Sequence, residues 1–417
     1  MGWRSYRDTW VVALGLLGAC GGKGAEGPVE AQSTSEAPAP AAAKLDVNAL
    51  LARETAGLSP QRLLGEQGAW SAEVLGSGAP RHQLQEGNVI VDIPIGAESN
   101  VRCQAFPETM DAGGTLHNVL AGAAEKVKFV AVEPTGVNVF ARAPAASFEG
   151  QYLAKTSNGQ AAGLLKIAFY AGHEASLLCM HDELGYRKTF ASVAESFFKS
   201  YNRKGVTEPK PVWLEISKSS LNATDLSFNW TRVFPGEGKG ELRYESTEAS
   251  FIPASRQDLK IEDNASILDL DARGKLKRGV WVTAEGGELT LQMTLTNANN
   301  KLSYEGKVSG KELKGELSTA KGFATALDTA AMLKKQLKTG KPFKQVLYEY
   351  HPSLDPAALV PVTYTHAEGQ EPRLVEMSLG QLKISVKVDA SGMPESGSMP
   401  MAGRELRISR AYVEGGL

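Results

Sequence analysis

The sequence predicts an α+β fold: an N-terminal antiparallel sheet with flanking helices, then a strand-rich, sandwich- or barrel-like domain with one inserted amphipathic helix. Alternating, β-branched segments recur along the whole chain, and few segments show helical spacing. After residue 210, turns rich in Gly, Asn and Asp separate the strands every ~8–12 residues, as in sandwiches and barrels. The 417 residues are 42% apolar, which is enough for packed cores.

The segment 45–204 is predicted to be the α+β domain. Asn88–Ile95 alternates and is rich in β-branched residues, which is typical of a strand. Two further strands, 126–132 and 136–142, are predicted to form a hairpin around Glu-Pro-Thr-Gly. The segment 186–201 is predicted to be a helix, because aromatic and aliphatic residues recur there at helical spacing.

The segment 205–417 is predicted to be the β-rich domain, with its helix near 320–339. Gly340 and Pro342 mark the end of that helix. Its predicted buried face consists of Phe323, Leu327, Ala330, Ala331 and Leu337.

The first 19 residues have the pattern of a secretory signal peptide. Arg4 and Arg7 precede an apolar run, Trp10–Ala19, which is too short to span a bilayer as a helix. Leu17-Gly18-Ala19-Cys20 resembles the bacterial lipobox. The resemblance covers these four residues and the signal peptide, and it implies that Cys20 carries the lipid and begins the mature protein. Gly21 stands where the family's inner-membrane retention residue is Asp, which implies the outer membrane in a Gram-negative organism.

Residues 20–44 are rich in Gly, Ala, Pro, Ser and Thr, a composition that cannot form a core. We expect a disordered tether between the membrane and the folded chain. The predicted localisation is therefore the cell envelope, with the membrane as a partner through lipidated Cys20. The net charge of −2 argues against nucleic acid, because proteins that bind it carry a basic excess.

Two cysteines, Cys103 and Cys179, remain after Cys20. Exported proteins fold in an oxidising compartment, so we predict a disulfide between them. Two buried thiols or a metal site are the alternatives. A metal site would draw on His173, His181 and Asp182 together with Cys179, since zinc prefers nitrogen and sulfur ligands. We predict no metal, and no motif indicates a cofactor or a catalytic residue.

These observations favour a membrane-anchored envelope lipoprotein of binding, structural or accessory type, with an envelope protein or a lipid as its partner. A first alternative is a carrier of a lipid or other apolar ligand, with an apolar pocket under the helix at 323–337. A second is an envelope hydrolase. It requires a cleft in which His173 or His181 lies within ~3 Å of a Ser, Asp or Glu.

The substitution Cys20→Ala should abolish acylation and release the protein from the membrane fraction, because it removes the only attachment point that the lipobox provides. Metabolic labelling with a fatty-acid analogue and membrane fractionation measure both effects. Membrane association that persists in Cys20→Ala would contradict the predicted anchor.

Overall fold

The computed structural model describes residues 47–416, except 157–158, 173–174, 207–208, 299–300 and 402. The predicted signal peptide, Cys20 and the tether lie outside the described residues. Within the described ranges, no helix combines the length and the apolar character needed to cross a membrane.

The N-terminal part combines a seven-stranded sheet, a small sheet and helices. The elements in chain order are α1 (Val47–Leu51), β1 (Ser59–Leu64), a 3₁₀ turn (Glu66–Gly68), β2 (Trp70–Gly76), β3 (Arg81–Gln85), β4 (Asn88–Pro94), β5 (Asn100–Phe106), α2 (Ala112–Ala124), β6 (Lys128–Phe140), β7 (Ala143–Thr156), β8 (Gly159–Ala171), β9 (Ser176–His181), α3 (Arg187–Ser200) and β10 (Asn202–Arg203). Strands β3 to β9 pair antiparallel in the order β3-β4-β5-β9-β8-β7-β6, and the small sheet has the order β1-β2-β10.

A disulfide joins Cys103 on β5 to Cys179 on β9, which confirms the predicted pairing. The two strands are neighbours in the sheet, and the cysteines lie directly opposite each other. Both are fully buried. The bond closes a loop of 76 residues, which is worth roughly 4 kcal/mol in the chain-entropy model.

The predicted hairpin at 133–136 is wrong. Strand β6 continues through these residues, with a shift in its register to β7 between Pro134 and Gly136. Proline is tolerated there because β6 is an edge strand. The chain reverses instead at Ala141 and Arg142, which both have positive φ, as a two-residue hairpin turn requires.

Helix α3 packs its apolar stripe on the seven-stranded sheet, as its spacing predicts. Phe190, Val193 and Phe197 are buried in the core cluster that also contains both cysteines. The first turn of α3 is bound by a residue that follows α1 in the chain. The Glu54 carboxylate accepts hydrogen bonds from the backbone N–H groups of Lys188 (3.0 Å) and Thr189 (2.8 Å).

The strands from residue 213 onward form one antiparallel sheet of fourteen strands. Its order is β18-β17-β16-β15-β14-β13-β12-β11-β24-β23-β22-β21-β20-β19, so the two strands that flank the helix in sequence are the two edges. The elements are β11 (Trp213–Leu221), β12 (Thr224–Pro235), β13 (Leu242–Pro253), β14 (Leu259–Leu270), β15 (Leu276–Glu285), β16 (Glu288–Ala298), β17 (Lys301–Val308), β18 (Lys311–Leu317), α4 (Ala326–Leu337), β19 (Phe343–Glu349), β20 (Val360–His366), β21 (Leu374–Leu379), β22 (Leu382–Val388), β23 (Pro394–Met401) and β24 (Arg404–Gly415). The chain therefore has a strand-rich α+β fold, as predicted.

Helix α4 is the predicted inserted helix, and a capping box between Thr325 and Asp328 fixes its start. Its buried face differs from the prediction at two positions. Ala331 is exposed, and Leu333, which the prediction omitted, is buried. The helix begins at Ala326, and its observed packing face includes Ala330 and Leu333, three residues apart.

Helix α4 packs against strands from both halves of the fourteen-stranded sheet, β11 to β18 and β19 to β24. The sheet therefore curls around this helix. The contacts of α4 belong to three core clusters, which include Leu268 and Leu295 beside Leu327, Trp213 and Val233 beside Ala330, and Val362 and Val388 beside Leu333. Protein side chains therefore cover the apolar face of α4, where the carrier alternative expected an apolar pocket.

A contact between α2, which belongs to the N-terminal part, and β14 of the fourteen-stranded sheet joins the two parts of the chain. The buried Asp263 carboxylate accepts hydrogen bonds from the backbone N–H groups of Gly113 (2.9 Å) and Gly114 (2.8 Å) in the first turn of α2. A Cβ at Gly113 would lie 2.6 Å from Asp263 Oδ2, so only glycine allows this approach. Beside the contact, the rings of Phe148 and Phe251 meet edge to face with centroids 4.7 Å apart.

A second carboxyl group makes this joint sensitive to pH. Asp111 precedes α2, and its side chain makes no capping hydrogen bond. Burial raises the pKa of Asp111 to about 6. Burial, followed by the charge of Asp111, raises the pKa of Asp263 to about 7, against the effect of its two N–H donors. The folded chain thus holds these protons more tightly than the unfolded chain, so stability falls as pH rises from about 4 to about 7.

The substitution Asp111→Asn should raise the free energy of unfolding by about 1–3 kcal/mol at pH 8 and by much less at pH 5. Asparagine keeps the size of the side chain and removes the buried charge next to Asp263. Chemical denaturation at both pH values measures the difference. Glu125→Gln, at the exposed end of the same helix, is the control and should change stability little at either pH. An equal effect of Asp111→Asn at pH 5 and pH 8 would show that the charge is not the cause.

Candidate functional site

A cleft of about 1090 Å³ opens on the seven-stranded sheet. The turn after β4, the ends of β8 and β9, and the segment that leads into α3 surround it. Its lining residues are Leu50, Arg53, Asp92, Gly96, Ala97, Glu98, Ser99, Asn100, Arg102, Tyr152, Ala162, Gly163, Leu165, Met180, His181, Asp182, Glu183, Leu184 and Tyr186. Apolar and polar side chains contribute together, as in pockets for small ligands.

Ser99 and His181 meet in the wall of the cleft. Ser99 Oγ lies 3.1 Å from His181 Nε2, and each residue is only 4% exposed. A turn that closes with a hydrogen bond from Ile95 N to Ser99 O positions the serine. His181 is the last residue of β9 and lies opposite Lys166 on β8.

His181 is a neutral imidazole at physiological pH. Burial lowers the pKa of His181 to about 3, and the positive charges of Lys166 and Arg53 add to this effect. Its buried Nδ1 atom has no hydrogen-bond partner within the described residues. A buried polar atom without a partner is costly, so a ligand or a water molecule at this atom would be stabilising.

Lys166 fixes the segment that covers one side of the cleft. Its side chain is 1% exposed, and its ammonium donates hydrogen bonds to Leu164 O (3.2 Å) and Glu183 O (2.5 Å). Burial lowers the pKa of Lys166 to about 8, although Glu149 and Asp182 oppose the shift. The lysine thus ties residues 182–184 to the sheet.

Ion pairs occupy the cationic groups at the rim. Arg102 Nε and Nη2 donate to the two oxygens of Asp92 (2.6 and 3.0 Å). Arg53 lies 3.7 Å from Glu183 and stacks 4.7 Å from the centre of the Tyr186 ring, whose hydroxyl accepts from Arg53 Nε.

The lining as a whole is acidic. It contains four carboxylates and two arginines, a balance of −2. Such a surface disfavours anionic ligands and favours neutral or cationic ones.

The structure removes the sulfur ligand from the predicted metal alternative. Cys179 is in the disulfide, His181 contacts Ser99, and His173 lies outside the described residues. In the described part of the chain, no group of three or more His, Cys, Asp or Glu side chains is arranged to hold a metal ion.

Sequence reasoning identified His181 but missed Ser99 and Lys166. Ser99 is 82 residues from His181 in sequence, and only the sheet order brings the two together. Lys166 left a signal that could have been used. It is a single charge within the apolar run Leu164–Ala171, where burial without a partner would be costly.

The geometry meets the distance that the hydrolase alternative required, but the electrostatics oppose that role. A general base must become an imidazolium in the transition state. His181 is buried between positive charges, and no carboxylate within the described residues orients its Nδ1. The site is better suited to holding a ligand than to activating Ser99.

Comparisons with known proteins indicate no function for this chain. No protein-family model matches the sequence, and no curated protein matches it significantly. Among solved structures, the chain is similar to a β-barrel-like protein of the domain of unknown function DUF1849 from Brucella abortus, with 14% identity, a TM-score of 0.38, and coverage of 50% of this chain and 99% of that chain.

It is also similar to a DUF1089 family protein from Pseudomonas aeruginosa, with 14% identity, a TM-score of 0.24, and coverage of 46% of this chain and 92% of that chain. A porin-like protein from Bacteroides uniformis shows 10% identity, a TM-score of 0.14, and coverage of 69% and 99%. With TM-scores this low, none of the three likenesses carries a functional argument.

The imidazole of His181 should not titrate between pH 5 and pH 8, because burial and its cationic neighbours keep it neutral. Imidazole chemical shifts in NMR spectra of the histidine-labelled protein, assigned with a His181→Gln variant, measure this directly. In Lys166→Met, the midpoint should move upward, because a neighbouring positive charge is lost. A midpoint between pH 5 and pH 8 in the unsubstituted protein would contradict this description of the site.

Proposed function

We propose that the protein is a lipoprotein of the cell envelope, anchored in the outer membrane through Cys20, which binds a small ligand in the cleft beside His181. The lipobox-like residues 17–20 and the tether composition of 20–44 support the anchor. The cleft, with its buried Ser99–His181 pair, supports the binding role. The Cys20→Ala experiment tests the anchor separately from the binding role.

The composition of the cleft favours a particular kind of ligand. Tyr152, Tyr186 and Leu165 supply apolar surface, while the carboxylates make the lining acidic. An amphipathic ligand that is neutral or positively charged fits this combination, because the lining carries more carboxylates than arginines and so disfavours an anion. The contact between Ser99 and His181 lies in the wall of the cleft and adds polar groups to this lining.

An envelope hydrolase is the second candidate function, and the 3.1 Å contact between Ser99 and His181 is the observation that favours it. In that case Ser99 would act as the nucleophile and His181 as its base. The histidine titration separates the two candidates, since a general base at neutral pH needs a pKa near the working pH.

Filling the cleft should weaken ligand binding. Ala162 lines the cleft and is exposed, so Ala162→Trp places a large side chain in the ligand space. Ala161, its exposed neighbour on β8, is absent from the lining, and Ala161→Trp is the matched control. Fluorescence titration uses dansylcadaverine as a cationic amphipathic probe and dansylglycine as its anionic counterpart.

We expect dansylcadaverine to bind the unsubstituted protein and Ala161→Trp equally, and Ala162→Trp at least 10-fold more weakly, a loss of about 1.4 kcal/mol or more. Dansylglycine should bind poorly to all three. Equal binding of dansylcadaverine to both tryptophan variants would rule out this cleft as the site. Preferential binding of dansylglycine would contradict the charge argument.

A further inference from the structure

A row of polar side chains crosses four neighbouring strands of the large sheet. In the register of β12 to β15, Asn229 lies opposite Glu248, Glu248 opposite Asn264, and Asn264 opposite Thr283. Residues that are paired in this way project from the same face of a sheet. The four side chains therefore form one continuous polar row.

This row lies on the inner face of the curled sheet. Side chains alternate along a strand, so residues at even spacing from the row share its face. Val233, Tyr244 and Leu268 are four residues along from the row on their strands, and all three belong to the clusters that pack with α4. Asp263 has the opposite orientation, toward α2.

The inner polar side chains are accessible and already oriented. Asn229, Glu248, Asn264 and Thr283 are each half-buried. Both amides are fixed by hydrogen bonds on each side: Thr231 Oγ1 to Asn229 Oδ1 (2.8 Å), Asn229 Nδ2 to Ser246 Oγ (3.0 Å), Thr283 Oγ1 to Asn264 Oδ1 (2.8 Å) and Asn264 Nδ2 to Glu262 Oε1 (2.9 Å).

The carboxylate of Glu248 stands between these two amides. Within the described residues it has no hydrogen-bond partner and no ion pair, unlike its neighbours in the row. Burial and the nearby charge of Glu262 raise the pKa of Glu248, so donors brought by a ligand would stabilise its charged form. The row thus presents a central acceptor flanked by oriented amides.

The charges around the row define the ligand that it can take. Glu248, Glu262 and Glu285 share this face, and Lys260 lies 3.5 Å from Glu262 and 3.4 Å from Glu285 at the strand ends. Three carboxylates against one ammonium disfavour an anion. Trp281, two residues from Thr283 on β15, is half-buried on the same face, and its ring packs edge to face with that of Tyr350, with centroids 4.9 Å apart.

We propose that this inner face is a second ligand site, and that it takes a neutral or amine-bearing saccharide. Hydroxyl or amino groups of a sugar would donate to Glu248, and the fixed amides would pair with neighbouring hydroxyls. Trp281 would cover an apolar face of the ring. This site is separate from the cleft beside His181, and it does not depend on the function proposed for that cleft.

The test uses the full chain in detergent on an array of neutral, amine-bearing and acidic oligosaccharides, followed by calorimetric titration with any oligosaccharide that binds. Glu248→Leu removes the central acceptor, and Glu248→Gln retains one acceptor oxygen. Glu305→Leu, on β17, is the matched control, because its side chain is 66% exposed on the outer face. Circular dichroism verifies that each variant folds.

We expect binding to neutral or amine-bearing oligosaccharides, weakened about 10-fold or more by Glu248→Leu and less by Glu248→Gln. Glu305→Leu and the cleft variant Ala162→Trp should bind like the unsubstituted protein. Binding to none of the oligosaccharides, or to acidic ones only, would overturn the proposal. Unchanged affinity in a folded Glu248 variant would do so as well; if the leucine variant does not fold, the glutamine variant decides.

Discussion

The arrangement of the two sheets depends on the contact between Asp263 and the first turn of α2. The opening N–H groups of a helix have no partner within the helix, and here a side chain from the other sheet satisfies two of them. The absence of a side chain at Gly113 makes the approach possible. Core clusters on both sides of the contact contain residues from each sheet, so the apolar core continues across the predicted boundary at 204–205.

The same seven-stranded sheet also builds the cleft, and the disulfide joins two neighbouring strands of that sheet. Cys179 is two residues before His181, so the covalent link to β5 fixes the strand that carries the histidine. Lys166 then holds the segment after His181 over the sheet. Buried polar groups in such a network are costly unless they are satisfied, and His181 Nδ1 has no hydrogen-bond partner within the described residues. The cationic neighbours make this imidazole a hydrogen-bonding group rather than a base.

Features that depend on local chemistry could be predicted from the sequence. The capped helix α4 and the apolar stripe of α3 follow from spacing, and the disulfide follows from export and cysteine number. Features that depend on sheet order could not. Residues 133–136 have the composition of a turn, but they remain in β6 because they pair with β7. Ser99 can contact His181 only because β5 and β9 are neighbours in the sheet. No local pattern specifies that neighbourhood, because the two strands are separated by α2 and three long strands.

We propose above that the protein binds its ligand in the cleft beside His181. Hydrogen–deuterium exchange can test it on protein extracted from the membrane, measured before and after unfolding, dialysis and refolding to remove bound molecules. If the ligand binds in this cleft, its removal should raise exchange in residues 96–100 and 182–186 and at the end of β9, with little change in α4. Unchanged exchange around the cleft, together with changes elsewhere in the described chain, would contradict it.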